Sequence, residues 1–190
     1  IAMEYVRGRD MSQIARAAGP LAVADACEII RQAAIGLQHA HEAGLVHRDI
    51  KPGNLMLTET GVVKILDLGL ARLGATTAGA ELTTTGQVMG TLDYIAPELI
   101  RGEEAGAPGD VYALGCLVYE CLTGAPPFGD RHMFDVVQAH LDAPPPDLSA
   151  LRPDVPRAVA DVVAGAMAKL PIERPRTGTA FAHLLRAAAR

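Results

Sequence analysis

Within eight residues, His47-Arg48-Asp49-Ile50-Lys51-Pro52-Gly53-Asn54, the chain presents a carboxylate, an ammonium and an amide. Asp49 and Lys51 lie two apart in a stretch too charged for a core element, so as an extended loop it can point both into one cleft. A carboxylate there suits accepting a proton from a hydroxyl, and a neighbouring ammonium suits meeting phosphate charge. Asn54 adds an uncharged oxygen, and thirteen residues later comes Asp67-Leu68-Gly69. An amide oxygen plus a carboxylate fits a hard cation such as Mg²⁺, which is usually held by one or two protein oxygens together with substrate phosphates. Positioning, metal and a base near the nucleophile are the parts that phosphoryl transfer needs.

These residues need elements to hold them. Leu55-Met56-Leu57 and the run 62–66 flank Glu59-Thr60-Gly61, which predicts a β-hairpin that returns Asp67 to the side of Asn54. Upstream, apolar residues at Leu21, Ala26, Ile29, Ile30, Ala33, Leu37, Ala40 and Ala43 predict a long helix stopped by Gly44. A strand-like run over 1–6 ends at Arg7-Gly8-Arg9, and a short helix covers 10–18. Further helices are predicted over 110–122, 133–141, 155–169 and 177–189. The segment 69–89 turns to Gly, Ala and Thr, a long weakly apolar stretch that marks a functional or disordered loop.

Composition narrows the classes. With 190 residues and 49% hydrophobic content, one domain or one large lobe can bury a real core. The net charge of −5 leaves no footprint for nucleic acid and no polybasic stretch for an anionic membrane. The longest near-apolar run, 111–122, is too short to span a bilayer. Cys27, Cys116 and Cys121 form no C-x-x-C pair and read as buried free thiols in a reducing, cytoplasmic setting. His39 and His41, two apart on a helix, face different sides and read as surface and packing residues, not metal ligands.

Together the motifs resemble a known family. His47 to Asn54 matches the H-R-D-x-K-P-x-N loop, and Asp67-Leu68-Gly69 the D-F-G element with Leu for Phe. Gly90 to Glu98 ends in Ala96-Pro97-Glu98, Asp110-Val111-Tyr112 resembles the start of a long central helix, and Glu173-Arg174-Pro175 a late arginine motif. In this order and spacing they resemble the C-terminal lobe, hinge onward, of a bacterial-type serine/threonine protein kinase. The resemblance implies a protein-kinase-like α+β fold: a mainly α-helical C-lobe with a small catalytic β-hairpin, the N-lobe absent from this chain. It divides 1–190 into a hinge over 1–8 and a C-lobe over 9–190, with the catalytic loop at 45–54 and the activation segment at 67–98.

The resemblance also implies roles. Asp49 is the catalytic base, Lys51 contacts the transferred phosphate, and Thr91 bonds to both. Asn54 and Asp67 hold Mg²⁺, with Mn²⁺ as the alternative ion. Met3 is the gatekeeper, the backbone of Glu4 and Val6 meets the adenine of ATP, and Met56 lies beneath it. Glu98 and Arg174 form a buried ion pair, and Asp110 braces the catalytic loop. Phosphorylation of Thr83 and Thr85, received by Arg48 and Arg72, is the expected control. The expected reaction is transfer of the ATP γ-phosphoryl group to Ser/Thr hydroxyls of protein substrates. The expected partners are those substrates and a missing N-lobe, without which the segment alone is expected to be inactive. No nucleic acid or membrane contact is expected from this segment; an anchor elsewhere in the full protein is left open. The competing readings are a pseudokinase docking scaffold, disfavoured by the intact Asp49, Lys51, Asn54 and Asp67, and a small-molecule kinase, disfavoured by the long 69–98 segment.

Overall fold

The computed structural model describes residues 5–68 and 92–190. In chain order it runs β1 (Gly8–Asp10), α1 (Met11–Ala18), α2 (Val23–Glu42), a 3₁₀ turn (Pro52–Asn54), β2 (Leu55–Thr58) and β3 (Val63–Ile65). After the undescribed stretch come α3 (Pro97–Ile100), α4 (Ala107–Thr123), α5 (Met133–Asp142), α6 (Leu148–Leu151), α7 (Arg157–Ala166), a second 3₁₀ turn (Pro171–Glu173) and α8 (Gly178–Ala188). The architecture is α+β: mostly helix, with one small antiparallel sheet.

The long helices fall near where apolar periodicity put them, and α2, α7 and α8 pack apolar side chains against α4. That helix is buried on every side: Val111, Tyr112, Leu114, Leu117, Val118 and Leu122 are each at most 1% exposed. At about 1.5–3 kcal/mol per fully buried large apolar side chain, this helix is the main source of packing energy. α2 packs against α4 and α8, contributing Ile30, Ala34 and Leu37. Local signals fix the helix starts. The Asp10 carboxylate accepts from the Gln13 amide at 2.9 Å to begin α1, and the Thr177 hydroxyl accepts from Ala180 at 3.0 Å to begin α8.

The sheet departs from expectation. The apolar run 1–6 predicted a strand ending before Gly8, yet Tyr5 and Val6 lie outside any strand and Gly8–Asp10 forms β1. β1 pairs antiparallel with β2, Gly8 opposite Thr58 and Asp10 opposite Met56, so the hairpin becomes a three-stranded sheet in the order β1-β2-β3. Glycine is what permits it: a Cβ at position 8 would come within 2.3 Å of the Leu57 carbonyl oxygen. Tertiary pairing here overrides a residue that locally signals a stop. α7 also ends at Ala166, short of the expected Lys169, because the carbonyls of Ala168 and Lys169 turn toward the Arg174 guanidinium at 2.7 and 3.1 Å.

One histidine is built into the core. His140 of α5 is fully buried, shares a 2.8 Å hydrogen bond with Tyr112 and meets the edge of Phe128, with ring centroids 5.0 Å apart. Burial, and next the charge of Lys169, push its pKa from 6.5 down to about 3. The unfolded chain therefore binds a proton that the folded chain refuses between those values. The stability this neutral ring contributes is complete above about pH 6.5 and is lost as pH falls toward 3. Acid titration of unfolding should show that decline in the wild type and a flatter profile in His140→Gln.

Among the described residues no helix is long and apolar enough to cross a membrane. All three cysteines are buried and free, as the sequence predicts.

Candidate active site

The loop between α2 and the sheet is held from behind by one carboxylate. Asp110, at the start of α4 and 2% exposed, accepts from the backbone amides of His47 at 2.9 Å and Arg48 at 2.8 Å. His41, in the last turn of α2, donates to the same carboxylate through Nε2 at 2.7 Å. Arg48 adopts a left-handed backbone with φ of 62°, a conformation that persists only where the surroundings enforce it. Two amides gripped by a buried carboxylate supply that enforcement.

His47 links the loop to the far end of the hairpin. Its Nδ1 accepts from the Asp49 amide at 3.3 Å, so its Nε2 carries the hydrogen and donates to the Leu66 carbonyl at 2.9 Å. From the other side the Leu66 amide donates to the Asn54 carbonyl at 2.8 Å. Leu66 is therefore fixed at both of its polar backbone atoms, directly before Asp67. Asp67 too is left-handed, with φ of 53°, and its side chain is exposed.

The candidate side chains Asp49, Lys51 and Asn54 meet on this frame. Lys51 Nζ lies 2.9 Å from Asp49 Oδ2. The Asn54 amide nitrogen donates to the Asp49 carbonyl at 2.8 Å and to Asp49 Oδ2 at 3.2 Å. With the nitrogen so used, the amide oxygen of Asn54 points the other way. Asp49 and Lys51 are each about three-tenths exposed, open to a substrate yet partly shielded from bulk water. The donor set available to a cation, one amide oxygen and one carboxylate, is all-oxygen and small, which fits Mg²⁺ completed by phosphate and water. No cluster of three His, Cys, Asp or Glu able to hold a metal occurs among the described residues.

Glu98 and Arg174 meet across 76 residues in a buried two-pronged pair, both contacts 2.8 Å. Val6 and Met56, expected at the nucleotide, are both half-buried, Val6 just ahead of β1 and Met56 within β2. Met3, Glu4, Arg72, Thr83, Thr85 and Thr91 lie outside the described residues. Arg48 is within 3.9 Å of Glu104.

Sequence reasoning missed two supports. His41 read as a packing residue, and its part in bracing Asp110 emerges only when α2 and α4 are packed together. Tyr94, which donates to Glu120 at 2.6 Å, was also unforeseen; desolvation first, then the charge of Asp93, push the Glu120 carboxyl up. Neither pair has a local signature, since their partners stand 69 and 26 residues apart.

The chain matches the protein kinase domain family over residues 1–185. A probable serine/threonine-protein kinase of Corynebacterium efficiens is 42% identical over 186 residues, covering 96% of this chain and 28% of that protein. The serine/threonine-protein kinase PknA of Mycobacterium tuberculosis is 41% identical over 182 residues, covering 96% of this chain and 41% of that one. Among solved structures, the Mycobacterium tuberculosis PknI kinase domain superposes with a TM-score of 0.75 at 30% identity, covering all of this chain and 65% of that one. The chain thus spans less than half the length of these two curated relatives. The chain belongs to the protein kinase domain family.

Proposed function

We propose that the protein carrying this chain is an ATP-dependent protein serine/threonine kinase and that residues 45–54 and 67–98 are its catalytic loop and activation segment. The carrying observation is the unbroken hydrogen-bonded path from Asp49 through Asn54 to Leu66, which ties the catalytic-loop residue 49 to the backbone directly before Asp67. In this reading Asn54 and Asp67 hold Mg²⁺, with Mn²⁺ as a substitute. Bound there, the ion offsets negative charge on the ATP phosphates.

Asp49 orients the substrate hydroxyl and accepts its proton as the oxygen–phosphorus bond forms and the bond to the ADP leaving oxygen breaks. Lys51, 2.9 Å from Asp49, meets the transferred phosphate and keeps Asp49 turned toward the cleft. Thr91 bonds to this pair and favours Ser/Thr substrates. Met3, Glu4, Val6 and Met56 form the adenine site at the hinge, residues 1–8. Phosphorylation of Thr83 and Thr85, received by Arg48 and Arg72, orders the activation segment. The free buried thiols support a reducing, cytoplasmic setting.

The test is transfer of label from γ-labelled ATP to a protein acceptor by the full-length protein, followed by phosphoamino-acid analysis. Phosphoserine or phosphothreonine should appear only with Mg²⁺ or Mn²⁺. Asp67→Ala should abolish the metal-dependent part of nucleotide binding. Nucleotide binding indifferent to both the metal and that substitution would overturn the reading.

A further inference from the structure

The hairpin that joins Asn54 to Asp67 is hydrogen-bonded to α2 through the Gln32 side chain. Among the described residues β3 is an edge strand of the sheet, with β2 as its strand neighbour. Gln32 takes the place of one rung. Its Oε1 accepts from the Val63 amide at 3.0 Å, and its Nε2 donates to the Gly61 carbonyl at 3.2 Å.

The orientation of that amide is dictated by its other neighbour. Nε2 also donates to Glu28 Oε1 at 3.0 Å, and Glu28 is gripped by Arg31 through two contacts of 2.7 Å. The Arg31 hydrogen bond, first among the causes, lowers the Glu28 pKa, keeping it an ionised acceptor at neutral pH. A carboxylate can only accept, so the nitrogen of Gln32 must face Glu28 and its oxygen must face Val63. One turn further along α2, Gly36 meets Ile65 so closely that a Cβ there would lie 3.1 Å from Ile65 Cδ1. Residues 28, 32 and 36, four apart, thus form one stripe of α2 that seats β3.

We propose that Gln32 is a positioning residue for the metal–nucleotide site: by clamping the β2–β3 hairpin to α2, it sets the spacing between the Asn54 amide oxygen and the Asp67 carboxylate. The proposal rests on the function given above. It assigns to Gln32 no contact with nucleotide or metal; it acts through the hairpin, whose first strand follows Asn54 directly and whose second ends two residues before Asp67.

The full-length protein should be compared with Gln32→Met, which keeps the length and packing of the side chain and removes both hydrogen bonds to the hairpin. Isothermal calorimetry of ADP with and without Mg²⁺ is the primary readout, and the Mg²⁺ dependence of phosphate transfer the second. The substitution should weaken Mg²⁺-dependent ADP binding by about 10-fold, equivalent to about 1.4 kcal/mol, while leaving metal-free ADP binding within about 2-fold. Gln32→Glu should also impair it, because it loses the donor to Gly61 and sets a second carboxylate against Glu28. Combining it with Glu28→Gln should restore part of the loss.

A wild-type protein that binds Mg·ADP, beside a Gln32→Met variant that binds it equally well, would overturn the role of Gln32 and leave the proposed function standing. Equal losses with and without metal would reduce Gln32 to a general structural contact, which also overturns the proposal. A wild-type protein showing no metal-dependent nucleotide binding would overturn both readings.

Discussion

Asp49→Asn in the full-length protein should lower the turnover number for phosphate transfer by ~10²-fold or more, the usual loss when a general base is removed. The asparagine is the same size, so the loop should keep its shape: the Asp110 grip on the amides of His47 and Arg48 does not involve this side chain. What changes is chemical. Oδ2 of Asp49 is the atom shared by Lys51 at 2.9 Å and Asn54 at 3.2 Å, and a neutral amide offers one acceptor oxygen where the carboxylate has two. It also cannot take the hydroxyl proton. The KM for Mg·ATP should move little, because in the proposed site the metal oxygens are those of Asn54 and Asp67. Steady-state kinetics beside a melting curve separates these effects; wild-type turnover in a folded Asp49→Asn protein would remove Asp49 from the reaction.

Arg174→Met should be strongly destabilising, costing about 3–5 kcal/mol. All five N–H groups of Arg174 are engaged: two contacts to Glu98, and one each to the carbonyls of Ala168, Pro108 and Lys169. Glu98 is 2% exposed, so losing its partner strands a charge where water cannot reach it. For a chain of this size the melting temperature should fall by roughly 6–20 °C, at about 2–4 °C per kcal/mol. Arg174→Lys should recover little, since an ammonium cannot reproduce the planar fork. The double variant Glu98→Leu with Arg174→Met should be more stable than Arg174→Met alone, because no unpaired carboxylate remains inside. A double variant no better than the single one would show that the carbonyl contacts, and not the ion pair, carry the stability.

Much of the site was legible because its chemistry is packed into short strings. Asp49, Lys51 and Asn54 lie within six residues, so a loop and the adjoining turn suffice to bring them together, and the hairpin over 55–66 returns the chain to Asp67. Side-chain type at close spacing already suggested which atoms to propose for accepting a proton, meeting a phosphate or holding a hard cation. Helix positions were equally readable, because the 3.6-residue apolar repeat is a local property of the chain.

What the amino-acid order left open lies at long range. Nothing near Gly8 announces a strand; it becomes one because Leu57 and Thr58 offer a free edge that only glycine can approach so closely. Nothing near His41 names Asp110, and nothing near Gln32 names Val63. These side chains acquire their roles when α2 is laid across α4 and β3, and the energy of that arrangement comes from burying apolar faces that carry no record of their partners. The chain by itself determined which groups are available for the proposed chemistry. Only the packed helices decided what holds those groups still.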